Sequence, residues 1–190
     1  MTDIGSVHRR KRILLDIDGV VADLVGTLCI CLKAMGFVRQ PEDFTKYVFD
    51  DVLSPQERLA ARKAMGDGYF CQDISWYPDG KIFIEALRQL GEVVAVTKPF
   101  PSPAWAYERE VWLKGHVEHV IHTGAKEMIL GNVLIEDCVE NAVRWLEHHP
   151  GKTAVLIERP WNRYEAHAHG LVRVKTFTEA LDAVHAVLSR

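Results

Sequence analysis

The chain has 190 residues, 48% of them apolar and 26% charged; this is the balance of one globular domain and excludes a disordered or fibrous protein. A core of this size buries roughly two thirds of the unfolded surface, so no metal or disulfide is needed to hold the fold. The formal net charge of −3 argues against a nucleic-acid coat protein, and a mean hydropathy of −0.05, with no run of ~18 apolar residues, argues against a membrane span.

In chain order, residues 1–11 read as a loose polar tail, with the basic cluster His8-Arg9-Arg10-Lys11-Arg12 at its end. Asp16 interrupts the following apolar residues too early for a secretory leader, which needs ~7–15 of them, and the cluster reads as solvated. Arg12 to Ile17 suits a buried strand. Val20 to Met35 has helical spacing, with Gly36 to end it. Residues 37–77 mix charges, aromatics and breakers: Pro41-Glu42-Asp43, Asp50-Asp51 and Ser54-Pro55-Gln56-Glu57. The last is a helix start, with Ser54 as N-cap and Pro55 at the first helical position, so a small helical insertion is expected there.

Helix and strand then alternate. Asp79 is placed to cap a helix with Phe83, Ile84, Leu87 and Leu90 on its apolar face and Gly91 at its end. Glu92 to Thr97 is a strand. Ser102-Pro103 opens a helix through Trp105, Val111 and Trp112 to Gly115, with the two tryptophans read as core packing. Val117 to His122 and Asn132 to Glu136 are strands, and Glu140 to His148 a helix ended by Pro150-Gly151. Thr153 to Ile157 and Leu171 to Val174 are strands, and Thr176-x-x-Glu179 is a capping box for the last helix. Strands separated by such helices mean right-handed βαβ units and a parallel sheet, which binds ligands at the carboxyl ends of its strands. Cys29, Cys31, Cys71 and Cys138 include no Cys-x-x-Cys pair and read as reduced, mostly buried thiols of a cytoplasmic protein. The histidines, His148-His149 and His167/His169 included, lack metal-site spacing and read as surface or loop residues.

Four polar groups fall at the carboxyl ends of expected strands. Asp16 and Asp18, two apart on an extended chain, look into one site; carboxylates so close repel and call for a cation or a shared proton. Thr97 ends Val93-Val94-Ala95-Val96, where a hydroxyl and backbone N–H groups can hold a phosphate oxygen. Lys126 follows Gly124-Ala125. Glu136-Asp137 ends Val133-Leu134-Ile135, and acidic groups there are candidate ligands for magnesium, which takes hard oxygen donors. Alone, Thr97 is an ordinary strand residue and Lys126 an ordinary solvated side chain.

Taken in order, Asp16-x-Asp18-Gly19-Val20, then Thr97, Lys126 and Glu136-Asp137, the chain resembles the haloacid-dehalogenase-like (HAD) phosphohydrolases over residues 12–175. More narrowly it resembles the C-type 5'(3')-deoxyribonucleotidases, through Asp16 to Asp23, through Lys126 with the Glu136-Asp137 strand end, and through Glu158-Arg159-Pro160-Trp161-Asn162-Arg163. The resemblance implies an α/β fold: a Rossmann-like parallel sheet flanked by helices, residues 12–36 and 78–190, with a helical cap at 37–77. It implies a phosphomonoesterase in which Asp16 is the nucleophile that forms an aspartyl-phosphate, and Asp18 the acid and then the base. It further implies Mg2+ on Asp16, the Asp18 backbone carbonyl and Asp137, with phosphate held by Thr97 and Lys126.

There are two departures from that subgroup. Glu136 stands where it carries an aspartate, and so enters as a group that could order a metal-bound water. Lys98 follows Thr97 where a small hydroxyl residue is usual, and enters as either a further phosphate contact or a side chain that points to solvent. Phe70, Trp76 and Tyr77, where the cap rejoins the core, are candidates to stack on a nucleobase or to pack cap on core. The expected substrate is a small phosphorylated molecule, foremost a deoxynucleoside monophosphate. The acidic balance argues against a polynucleotide, and a homodimer is implied by the resemblance alone. Another phosphorylated metabolite, a nucleic-acid 3'-phosphate end or a non-catalytic binding role are the alternatives.

Overall fold

The computed structural model describes residues 10–67, 69–164 and 168–190; residues 1–9 of the expected tail, and His167, lie outside the described residues. Six parallel strands form one sheet: β1 (Arg12–Leu15), β4 (Glu92–Thr97), β5 (His119–His122), β6 (Val133–Glu136), β7 (Thr153–Ile157) and β8 (Leu171–Val174), in the order β5-β4-β1-β6-β7-β8. The two central neighbours of β1 are therefore β4 and β6, with Leu14 in register with both Val94 and Leu134. Alternate residues serve opposite faces. Ile13, Leu15, Val93 and Ile135 pack under α4 (Gly80–Leu90) and α7 (Phe177–Leu188), where Phe83 and Phe177 stack 4.5 Å apart. Leu14, Val94, Val96 and Leu134 pack under α6 (Val139–His148), around the buried Trp145. The α/β, Rossmann-like class expected from the alternation is the fold found.

The first crossover differs from expectation. The first strand stops at Leu15 because the backbone turns at Ile17, whose carbonyl accepts from the N–H groups of Val20, Val21 and Ala22 at 3.2, 3.0 and 2.9 Å. A two-residue strand β2 (Ala22–Asp23) follows, antiparallel to β3 (Ser75–Trp76). Only then does helix α1 (Leu24–Ala34) begin, four residues later than its spacing suggested, with Asp23 accepting from Gly26 N–H at 2.9 Å as its cap. The apolar run Val20-Val21-Ala22 thus belongs to a turn and a strand. The excursion between β2 and β3 holds α1, the 3-10 turns 41–43 and 49–51, α2 (Pro55–Gly66) and α3 (Phe70–Asp73), and it leaves and returns through that two-stranded neck.

Ser54 caps α2 as expected, in a reciprocal box with Glu57. Asp79 does occupy the N-cap of α4, but in the left-handed region (φ 63°) and without a side-chain cap bond. Helix α5 (Trp105–Leu113) packs on α3 and, unexpectedly, buries Glu108 and Arg109.

Candidate active site

Three adjacent strands deliver the site. Asp16 follows β1, Thr97 ends β4, and Glu136-Asp137 end β6; Lys126 reaches in from the 3-10 turn 126–128. All five are buried. Lys126 Nζ lies 2.7 Å from Asp16 Oδ1 and 2.6 Å from Glu136 Oε2. Burial disfavours the ammonium, but Asp16 and Glu136 more than offset it and raise its pKa. The other Glu136 oxygen, Oε1, accepts from Cys138 N–H and from Asn141 Nδ2, both at 3.2 Å. Glu136 is therefore engaged at both oxygens, one of them on the lysine. Its pKa is pushed up to about 7, first by burial and then by Asp16, with Lys126 opposing.

Asp137 is held differently. Trp161 Nε1 donates to its Oδ2 at 2.9 Å, and Asn162 Nδ2 donates to its backbone carbonyl at 2.8 Å. Its Oδ1 is buried and finds no partner among the described residues, and its pKa is raised well above the ordinary value, by burial first and then by Asp16 and Glu136. Oxygens of Asp16, Glu136 and Asp137 lie within 4.8 Å of one another. A compact set of hard oxygen donors, one of them buried without a partner, fits a hard divalent cation. Gly19 permits this approach: at φ 79°, a Cβ there would sit 1.9 Å from Asp137 Oδ2. Arg159 clamps the same turn, donating from Nε to the Gly19 carbonyl at 2.6 Å and from Nη2 to the Val20 carbonyl at 3.0 Å.

Asp18 and Asp137 face a cavity of about 610 Å3 between this floor and the excursion. Thr97, at the end of β4, does not line it; its buried hydroxyl is unpartnered among the described residues, and Lys98 is exposed at the rim. The aromatic walls are Tyr47, Phe49, Phe100, Trp105 and Trp161. The three aromatics singled out from sequence do not line this cavity. Phe70 is buried and stacks 5.9 Å from Trp105, Trp76 stacks 3.6 Å from Trp112, and Tyr77 lies beneath the Arg159 guanidinium at 4.1 Å. They join the excursion to the core, because β3 and its flanks lie at the neck.

Sequence reasoning also missed Arg109, whose Nη2 donates to Asp18 Oδ1 at 2.5 Å. A signal for it existed. Positions 105, 109 and 112 share one helix face, so an arginine sits on the stripe of the two tryptophans.

Solved structures of HAD-like hydrolases share this fold. The haloacid dehalogenase-like hydrolase SP0104 from Streptococcus pneumoniae is 14% identical, with 91% of this chain and 97% of that one covered at a TM-score of 0.56. HAD-hydrolase YfnB from Bacillus subtilis, in a structure bound to magnesium, is 12% identical, with 93% and 99% covered at 0.58. L-2-haloacid dehalogenase from Xanthobacter autotrophicus, with chloropropionic acid covalently bound, is 11% identical, with 92% and 98% covered at 0.60. No curated protein sequence matches the chain. The family model described as 5' nucleotidase, deoxy (pyrimidine), cytosolic type C matches residues 10–189, and the chain belongs to that family. It is accordingly a phosphoric monoester hydrolase that takes a small phosphorylated substrate. None of the described helices is long and apolar enough to cross a membrane.

Proposed function

We propose that the protein is a Mg2+-dependent nucleotidase of the cytoplasm that releases phosphate from deoxynucleoside monophosphates through a phosphorylated Asp16. The observation that carries this reading is the buried cluster of Asp16, Lys126, Glu136 and Asp137, which meets an aromatic cavity at Asp137. Its Oδ1 bonded to Lys126, Asp16 keeps Oδ2 for attack on phosphorus. As that P–O bond forms, the bond to the leaving oxygen breaks, and Asp18 gives the leaving oxygen a proton. In the second half a water attacks phosphorus, Asp18 takes its proton, and the bond to Asp16 breaks, which restores both carboxyls and frees phosphate. Lys126, oriented by Glu136, and the Thr97 hydroxyl, unpartnered among the described residues, receive the phosphoryl oxygens. Lys98 at the rim adds a further cationic contact.

Mg2+, when bound by Asp16, the Asp18 backbone carbonyl and Asp137, supplies positive charge against the phosphoryl oxygens. The excursion serves as the cap over the phosphate, and its aromatic walls suit a flat leaving group such as a nucleoside. The family description supports both the deoxynucleotide and the cytosolic setting.

The test is phosphate release from a panel of deoxy- and ribonucleoside monophosphates and sugar phosphates, with Mg2+ or with chelator. Expected are turnover of deoxynucleotides, its loss with chelator, and a loss of at least ~1,000-fold in Asp16→Asn. Turnover of sugar phosphates alone would reassign the substrate, and an active Asp16→Asn would remove the mechanism.

A further inference from the structure

Arg109 has no exposed surface. Its guanidinium lies 5.8 Å from the Trp105 ring and 5.1 Å from the Trp112 ring, and Trp112 is itself fixed by its stack on Trp76 and by a 2.9 Å bond to the Ile74 carbonyl. Nε and Nη1 are buried without partners among the described residues, and Nη2 spends its bond on Asp18 Oδ1. A buried guanidinium with two unmet donors is a poor stabilising device; an apolar side chain between two indoles would fill that space at lower cost. What the arginine supplies is a fixed direction for one carboxyl group.

Asp18 lines the cavity, whereas the Arg109 side of that carboxyl is closed. We propose that Arg109 is the positioning residue of Asp18, pinning Oδ1 against α5 and presenting Oδ2 to the reacting phosphoryl group. Arginine donates only and does not deprotonate, so the oxygen facing it can only accept. The proton that Asp18 gives to the leaving oxygen, and later takes from water, therefore travels through Oδ2. The inference rests on the acid and base role given to Asp18 above, and adds the residue that aims it.

The test compares Arg109→Met and Arg109→Lys with the parent enzyme in Mg2+, on a deoxynucleoside monophosphate and on p-nitrophenyl phosphate. For the nucleotide, kcat in Arg109→Met falls about 100-fold or more while KM stays within about threefold. Nitrophenolate leaves without a proton, so Asp16 is still phosphorylated; release then waits on a misaligned base. The expected trace is a burst of one nitrophenolate per site followed by slow turnover. Arg109→Lys, which keeps the buried charge, recovers part of kcat and carries the same burst test if Arg109→Met does not fold. Arg109→Met added to Asp18→Asn costs nothing further, because both act through one group.

Unchanged kcat in the arginine variants, equal losses on both substrates without a burst, or additive losses in the double variant would each overturn the inference and leave Arg109 a packing residue. An unimpaired Asp18→Asn would instead remove the acid and base role itself, so the two failures are distinguishable.

Discussion

At the residue scale the site depends on a side chain that is missing. Gly19 combines a left-handed φ of 79° with the closest approach of Asp137, and its absent Cβ would also lie 3.0 Å from the Trp161 ring. Gly19→Ala is expected to displace Asp137, raise the Mg2+ concentration for half-maximal activity at least ~10-fold, and destabilise the fold by about 1–3 kcal/mol; a Mg2+ titration of activity beside a urea melt reads both. Asp16, Asp18 and Glu136-Asp137 stood out locally, because acidic groups directly after an apolar strand are a short-range pattern, whereas Thr97 and Lys126 were singled out only by their order in the resemblance. Arg109 was not, since a charge on an apolar helix stripe reads as solvated until the partner 91 residues away is known. Nor were Tyr47 and Phe49 distinguishable from Phe70 and Trp76, because which ring faces the cavity depends on how the excursion folds over the sheet.

At the scale of elements, α2 was read correctly from Ser54-Pro55-Gln56-Glu57, because capping chemistry is contained within four residues. Ser54 Oγ accepts from Glu57 N–H at 3.4 Å, and Glu57 Oε2 accepts from Ser54 N–H at 2.8 Å. Arg39 adds bonds to the same carboxylate at 2.7 and 2.8 Å, and these, as the largest cause, lower the Glu57 pKa from 4.5 to about 2. A carboxyl lowered by folding stabilises the fold above its unfolded pKa, and that contribution is lost as pH falls from 4.5 toward 2. Ser54→Ala is expected to cost about 1 kcal/mol. Glu57→Gln should flatten the acid limb of stability over that window, as measured by urea unfolding at stepped pH. The start of α1 was misread for the opposite reason. Val20-Val21-Ala22 has helical spacing, but the backbone bonds around Ile17 and the pairing with β3, 52 residues on from Asp23, override it.

At the scale of the whole molecule, the parallel sheet was legible in the alternation of apolar runs and caps, while the order of its strands and the route of the first crossover were tertiary matters. The buried acidic cluster ties global stability to pH and cation. Without metal, Glu136 and Asp137 titrate above their ordinary values, so the folded state holds protons more tightly than the unfolded chain does. Stability then falls as pH rises from 4.5 through about 7. A cation needs the ionised forms and is bound by the folded state. Saturating Mg2+, at about 100 times its Kd, should therefore raise stability by about 2.7 kcal/mol at pH 8 and by much less at pH 5, read as Tm with and without chelator. Equal Mg2+ shifts at the two pH values would argue that the cation does not occupy this cluster.

The place of β1 in the middle of the sheet also bears on how the protein is made. Its neighbours β4 and β6 begin 80 and 121 residues after Arg12, so β1 leaves the ribosome well before either of the strands that enclose it. At roughly 5–20 residues per second, Ile13, Leu14 and Leu15 wait on the order of ten seconds for both partners, with at least one strand edge open to other nascent chains until β6 is made. A message truncated before the codon for Val133 would yield a chain whose sheet lacks one side of its middle strand, a substrate for chaperones and proteases rather than a weaker enzyme.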